Sequence, residues 1–549
     1  MQKILRTLII IAMLITSYLL ILAWRDDYAT TKTTATTPVA TTTNDVPVAV
    51  SGGDVPVVDV QTASSPVQAG QLISVTTDRH EIKIDPVGGD VVYAGLKQYD
   101  DVLGSVDRLV LLESGQGRTY VAQSGLIGQD GIDTQAGRAV YSSPQTSYTL
   151  NPTSGILQVP LVYQKDGLTI TKTYTFKAGE YPITVSYNIN NATDKPWQGQ
   201  MYAQLKRDNS ADPGLDDKGM MGMATYLGGA WGTPDSPYNK LKFKDFNGNG
   251  LNATNKDGWV AMIQHYFVSA WTPSGNFDGQ FYSRTQNNEH FIGFNSPAVN
   301  VPAGKQMTLD ATLYVGPKVQ KELYGVAEGL DKTVDYGIFW PISKTLFMVL
   351  EALHKVLGNW GWAIIGLTIL VKIALFWLSN KSYVSMAKMR AIAPKLEALR
   401  EKHGDDRMAM SQAMMSLYRE EKVNPMAGCL PILLQMPIFL GLYWCLVESV
   451  ELRHAPWILW IKDLSAMDPW FILPIIMMAT MYFQQLLNPQ PTDPMQAKMM
   501  KIMPLIFGVF MLFFPAGLVL YWTVNNLFSM AHQQYINKKV EKEYQAKTA

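Results

Sequence analysis

Apolar and polar positions follow three patterns along this chain. The first is an unbroken apolar run, LIIIAMLITSYLLILAW at 8–24, with Lys3 and Arg6 before it and Arg25-Asp26-Asp27 after it. Its length suits one membrane crossing, which takes roughly 20 apolar residues. A cleaved signal peptide shares the basic start and apolar core, but no small-x-small cleavage site follows here. The reading adopted is an uncleaved transmembrane anchor, 1–25, with its N-terminus in the cytoplasm. Residues 26–70 (TTKTTATTPVATTT, later QTASSP) keep no period and read as a flexible linker.

The second pattern is alternation with period two. HEIKI (80–84), ITVSYNIN (183–190) and MTLDATLYV (307–315) alternate, and turn signals such as Asp85-Pro86, Gly88-Gly89 and Asn151-Pro152 separate such runs. Many short strands predict one large antiparallel β-sandwich over 71–330. No run in this region is long enough to cross a bilayer, which puts the domain on the outer side of the anchor.

The third pattern occupies the rest of the chain. Ile338, Ile342, Leu346, Leu350, Leu353 and Leu357 recur every three or four residues, with Ser343, Lys344, Glu351, His354 and Lys355 off that stripe. This predicts an amphipathic helix over 333–358, lying on the outer membrane interface or packed on the β domain. Long runs poor in charge then mark spans at 360–380, 423–447 and 469–487. The last run, 502–537, lacks Asp, Glu, Lys and Arg and is too long for one crossing. Phe514-Pro515-Ala516-Gly517 divides it, giving spans at 499–514 and 518–536. The predicted architecture is a polytopic α-helical membrane protein, an anchor plus a five-helix core, carrying a large antiparallel β-sandwich on the outer side.

Charge supports that count. Lys381, Lys388, Arg390, Lys395, Arg400, Lys402, Arg407, Arg419 and Lys422 place the 381–422 loop in the cytoplasm. The 448–468 loop offers only Arg453 and Lys462 and suits the outer side, whereas 488–498 forms a short cytoplasmic loop. Lys538, Lys539, Lys542 and Lys547 draw the 537–549 tail inside, which six crossings satisfy and five do not. Composition excludes other classes. Charged residues make up 17% of the chain, and 46 Lys and Arg balance 46 Asp and Glu. The deficit argues against an ordinary soluble enzyme, and the zero balance argues against nucleic-acid recognition.

Lys372 requires an explanation, because a lysine near a span's centre costs roughly 2.5–3.5 kcal/mol on insertion scales. It either snorkels to the cytoplasmic headgroups or serves a hydrated cavity between helices. Thr368 lies one turn before it on the same face. Gln435, Thr480, Gln484, Gln485, Thr523, Asn525 and Asn526 are further polar groups in the spans, each also suited to a helix–helix hydrogen bond. No Asp or Glu in the spans pairs with Lys372, as an ion-coupled transporter would require. The 381–422 loop reads as a helical hairpin whose Met386, Met389, Met414 and Met415 supply adaptable apolar surface, for capture or for ordinary packing.

Signatures of catalysis are weak. His80, His265 and His290 lack metal-ligand spacing. Asp245, Asn247, Asn249 and Gly250 open like a calcium loop, but Lys256 stands where its bidentate Glu belongs. The two cysteines, Cys429 and Cys445, would lie about 24 Å apart on one helix, beyond disulfide reach. No catalytic residue, metal site or cofactor is expected.

Several long stretches resemble the YidC/Oxa/Alb family of membrane insertases in its Gram-negative form: GWVAMIQHYFVSAW (258–271), LDKTVDYGIFWPISK (330–344), SMAKMRAIAPK (385–395), EKVNPMAGCLPILLQMPIFLGLYW (421–444), TDPMQAKMM (492–500) and FPAGLVLYW (514–522). The resemblance implies a bacterial inner-membrane insertase and chaperone, with both termini cytoplasmic and a periplasmic β-supersandwich similar in fold to sugar mutarotases. It implies a hydrophilic groove open to cytoplasm and lipid. The groove's positive residue maps onto Lys372, where the family usually has arginine, and Thr368 and Gln435 map onto groove positions. Met436, Phe439, Phe510 and Trp522 map onto or near a greasy slide for substrate helices. The hairpin, with Arg390 among its residues, maps onto an element that receives nascent chains. Implied partners are nascent membrane proteins, the ribosome, the Sec translocon and the lipid bilayer.

Overall fold

The computed structural model describes residues 45–47, 71–115, 117–151, 153–211, 226–248, 250–275, 278–403, 406–421, 423, 430–488 and 494–548. The anchor expected at 1–25, most of the 26–70 linker, and the start of the expected 423–447 span lie outside them. The chain divides into two compact units that meet in sequence after Thr333.

Alternation produces strands in the first unit because every second side chain reaches the core. Ile183, Val185, Tyr187 and Ile189 are all fully buried on the strand Pro182–Asn191. His80, Ile82 and Ile84 bury likewise on His80–Asp85. Among the described residues an eleven-stranded and an eight-stranded sheet result. Side chains of one sheet hydrogen-bond to the other's backbone: Trp271 Nε1 donates to Gln204 O at 3.1 Å, and His80 shares 2.7 Å with Val315 O. The sandwich departs from a purely antiparallel one. Ile73–Thr76 pairs parallel with Ser147–Thr149, because a long excursion between them returns the chain in the same direction.

Several buried charged groups in this unit are well partnered, as burial demands. Arg138 forms ion pairs with Asp90 and Asp133, both at 2.9 Å. The Lys172 ammonium donates to the carbonyls of Gly88, Gly89 and Ser124, and burial pushes its pKa down to about 7. Burial also lowers His80 and His290 to about 4.

The second unit is helical: α1 (Trp340–Leu357), α2 (Trp360–Ala374), α3 (Phe376–Ala391), α4 (Ala393–His403), α5 (Arg407–Glu420), α6 (Leu430–Glu448), α7 (Ile472–Leu487), α8 (Pro494–Met511) and α9 (Ala516–Thr548). Among the described residues no single helix is long and apolar enough to cross a membrane; α2 and α3 together pass that test but are bent by 69°. α7, for example, has 16 residues and rises about 24 Å, short of a hydrocarbon core about 30 Å thick.

Three expectations change here. The 360–380 span breaks at Leu375, although neither Pro nor Gly stands there. The break lies between two anchors on α9: Lys372 meets Ser529 before it, and Phe376 stacks on His532 after it, with ring centroids 4.6 Å apart. The 537–549 tail is not a separate element, since α9 continues to Thr548, and Ile536 and Val540 pack on Tyr383 and Ala387 of α3. The stripe expected on α1 is rotated. Its buried line is Ser343, Phe347 and Leu350, whereas Ile338 precedes the helix and is exposed. Gly441 of α6 permits this approach, because a Cβ there would meet Ile342 Cγ2 at 2.9 Å.

The 448–468 loop pins the turn between α8 and α9. Ala516 N donates to Ala466 O at 2.7 Å, and Gly517 N to Leu464 O at 2.9 Å. Buried Asp468 accepts from Trp460 Nε1, Trp470 N and Leu473 N, the last at the start of α7.

Candidate functional site

The site is assembled on α9, where Tyr521, Asn525, Ser529 and Gln533 recur every four residues and therefore share one face. All four are buried. α2 starts cleanly because Asn359 accepts from Trp362 N, and Gly358 (φ 68°) closes α1 just before it. Because α2 ends at Ala374, Lys372 sits in the last turn of a helix, where unpaired carbonyls favour a cation. Its Nζ donates to Ser529 Oγ at 2.7 Å. Ser529 Oγ donates to Asn525 O at 2.8 Å. From α6, Gln435 Nε2 donates to Asn525 Oδ1 at 2.5 Å and reaches Tyr521 Oη at 3.4 Å.

The seam extends to α7. Asn526 Nδ2 donates to Thr480 Oγ1 at 3.4 Å, and Gln533 Nε2 donates to Asn488 Oδ1 at 3.0 Å and Leu487 O at 3.2 Å. A hydrogen-bonded polar seam thus runs between helices whose remaining positions are largely apolar. Lys372 and Gln435 join the same chain of contacts through Ser529 and Asn525. Thr368 is buried one turn away, and its hydroxyl donates to Ile364 O at 2.7 Å.

The four residues assigned to the slide fall into two kinds. Phe439 lies edge-on to Trp522, with centroids 4.6 Å apart, and Phe507 supports the same indole at 5.0 Å. Met436 and Phe510 are exposed, and Phe510 also packs on Phe514 at 4.9 Å.

Two family descriptions match: "YidC periplasmic domain" over residues 72–349 and "60Kd inner membrane protein" over residues 352–543. The chain is 48% identical to the membrane protein insertase YidC of Pseudomonas aeruginosa, over 98% of both chains. It is 49% identical to that of Pseudomonas entomophila, again over 98% of each. The chain belongs to the YidC family. A solved active YidC insertase with its first transmembrane domain resolved covers 85% of this chain and 92% of its own at 19% identity, with a TM-score of 0.38, a likeness too loose to build on.

The hairpin expected over 381–422 is formed by α4 and α5, and its first expected helix is broken at Ile392. α4 and α5 pack on each other through Leu396 and Leu417, with Ile392 and Val423 just outside them in the same cluster and Met389 and Met414 against it. Met386 belongs elsewhere, on the seam between α3 and α9. Met415 and Arg390 are exposed. Ser529, Tyr521 and Gln533 were missed from sequence. The signal was available in their four-residue spacing with Asn525, which a residue-by-residue search for polar groups in the expected spans does not use.

Proposed function

We propose that this chain is an inner-membrane insertase and chaperone that brings membrane proteins into the bilayer, alone or with a Sec translocon, and receives them from the ribosome. The β-sandwich lies in the periplasm and both termini lie in the cytoplasm. Identity across 98% of the chain with relatives named membrane protein insertase supports the activity. The observation that carries the mechanism is Lys372 hydrogen-bonded to Ser529 within a polar seam between apolar helices.

Polar groups of a substrate tail are expensive to bring to membrane depth without partners. The seam supplies partners: amides from Gln435, Asn525 and Asn526, hydroxyls from Thr480 and Ser529, and one cation. Lys372 attracts acidic residues in the tail. A membrane potential positive outside then favours their outward movement by about 2.3 kcal/mol per charge per 100 mV. The apolar part of the substrate leaves sideways into lipid past Met436, Phe439, Phe510 and Trp522. Exposed Met415 and Arg390 on the cytoplasmic side make first contact. The mechanism contains no covalent step.

A membrane-tethered carbohydrate enzyme is the rival reading. Two of the β unit's histidines argue against it, because His80 is committed to Val315 O and His290 lies between Thr285 and Asn209. The test is photo-crosslinking to stalled nascent membrane proteins from probes at Gln435 and Phe510. Crosslinks from both positions are expected. Efficient insertion with no crosslink from either would contradict the seam and the slide together.

A further inference from the structure

Within the linker, Asp45, Val46 and Pro47 are placed against the face of the larger sheet. The seat is built by strands Thr119–Ile127, Trp197–Arg207, Asp278–Gln286 and Glu289–Asn295, which are consecutive neighbours in that sheet. Lys206 Nζ pairs with the Asp45 carboxylate at 2.9 Å and with Glu289 at 3.0 Å. Gln123 Nε2 reaches the same carboxylate at 3.4 Å. The Asp45 carbonyl accepts from Gln204 Nε2 and from Arg284, each at 2.7 Å. Val46 is buried against Ile127 and Tyr202, and its carbonyl accepts from Gln135 Nε2 at 3.5 Å.

The residues of the seat also hold one another. Gln123 and Gln204 face each other in register and hydrogen-bond at 2.9 Å, and Tyr282 Oη donates to Gln204 Oε1 at 2.9 Å. Lys206 is buried, and its charge is met by Asp45 together with Glu289. The sequence adds a second observation. Asp45-Val46-Pro47-Val48 recurs within the same linker as Asp54-Val55-Pro56-Val57. Proline lowers the entropy lost on binding an extended segment, because its φ is already fixed.

We propose that this face is a peptide-binding site for an extended Asp-Val-Pro segment, and that the chain's own linker fills it in cis. The linker is then stapled near its middle rather than slack throughout. The repeat provides two interchangeable ligands, so the free length between anchor and β-sandwich depends on which copy is seated.

The test uses the full-length chain in detergent micelles. In a Val46→Cys variant, maleimide labelling is followed peptide by peptide, so that Cys429 and Cys445 do not interfere. The introduced thiol is expected to react at least tenfold more slowly than in the urea-unfolded chain; reaction at the unfolded rate overturns the proposal. Asp45→Ala/Asp54→Ala alters only linker residues and empties the site. That variant is expected to bind a fluorescent peptide of residues 43–50 saturably. The parent should bind it at least tenfold more weakly, because a tethered ligand competes at roughly millimolar effective concentration. Adding Lys206→Ala and Arg284→Ala should abolish binding. Failure of the emptied chain to bind the peptide, or binding unaffected by loss of Lys206 and Arg284, overturns it.

Discussion

Lys372 and Ser529, 157 positions apart in sequence, meet at 2.7 Å, and the same serine hydroxyl donates onward to Asn525 O. The serine hydroxyl therefore orients the ammonium toward the polar seam. Ser529→Ala removes an acceptor from a charged donor, a loss of about 1.5–3 kcal/mol. Insertion of a substrate with an acidic tail should fall severalfold in cells depleted of their own insertase, while Ser529→Thr should retain most activity. Parental activity in the alanine variant would show that the contact does not matter.

Two glycines separate rigid from yielding packing. A Cβ on Gly361 would fall 2.1 Å from the Trp457 indole, whereas one on Gly508 would meet the flexible Met478 side chain at 2.7 Å. Gly361→Ala should destabilise the helical unit by about 1–3 kcal/mol through overpacking, and Gly508→Ala by less. Thermal unfolding of both variants in detergent checks the order, and equal midpoints would refute it.

The β-sandwich should lose stability in acid through His80. Burial lowers its pKa from 6.5 to about 4. Below pH 6.5 the unfolded chain therefore binds a proton that the folded chain refuses. Stability falls as pH drops from 6.5 toward 4 and levels off below that, a cost of about 3 kcal/mol. His80→Gln keeps a donor for Val315 O and should reduce this slope, leaving the part contributed by His290, whose pKa burial also lowers to about 4; denaturant unfolding between pH 7 and 4 measures it. An unchanged slope would remove His80 as its source.

Deleting 393–420 with a short Gly-Ser bridge removes α4 and α5 but spares Tyr383 and Ala387, which pack on Ile536 and Val540. The shortened chain should integrate into membranes and fail to insert substrates. Normal insertion would reduce the hairpin to packing.

The sequence made the sandwich legible because period-two burial is local: each inward residue of ITVSYNIN declares its face through its own hydrophobicity. Lys372 was legible because a cation in an apolar run is conspicuous. Its partner was not, since a serine far along the chain becomes notable only once α2 and α9 lie side by side. The break at Leu375 was invisible for a related reason. No local breaker stands there, and contacts of Lys372 and Phe376 with another helix flank it. Likewise Lys538, Lys539 and Lys542 read as a charged tail, although the helix bearing them continues because Ile536 and Val540 have a surface to pack on.

The central claim is that Lys372 acts by its charge on acidic substrate tails. The most direct measurement is protease accessibility of the translocated tail for two substrates differing only in tail charge, at matched insertase levels. Lys372→Arg should insert both substrates normally. Lys372→Glu should fail chiefly with the acidic tail, through like-charge repulsion at membrane depth, and Lys372→Ala should fall between. Equal insertion of both substrates by the Glu variant and the parent would contradict the electrostatic role and leave Lys372 a residue that only reaches for the headgroups.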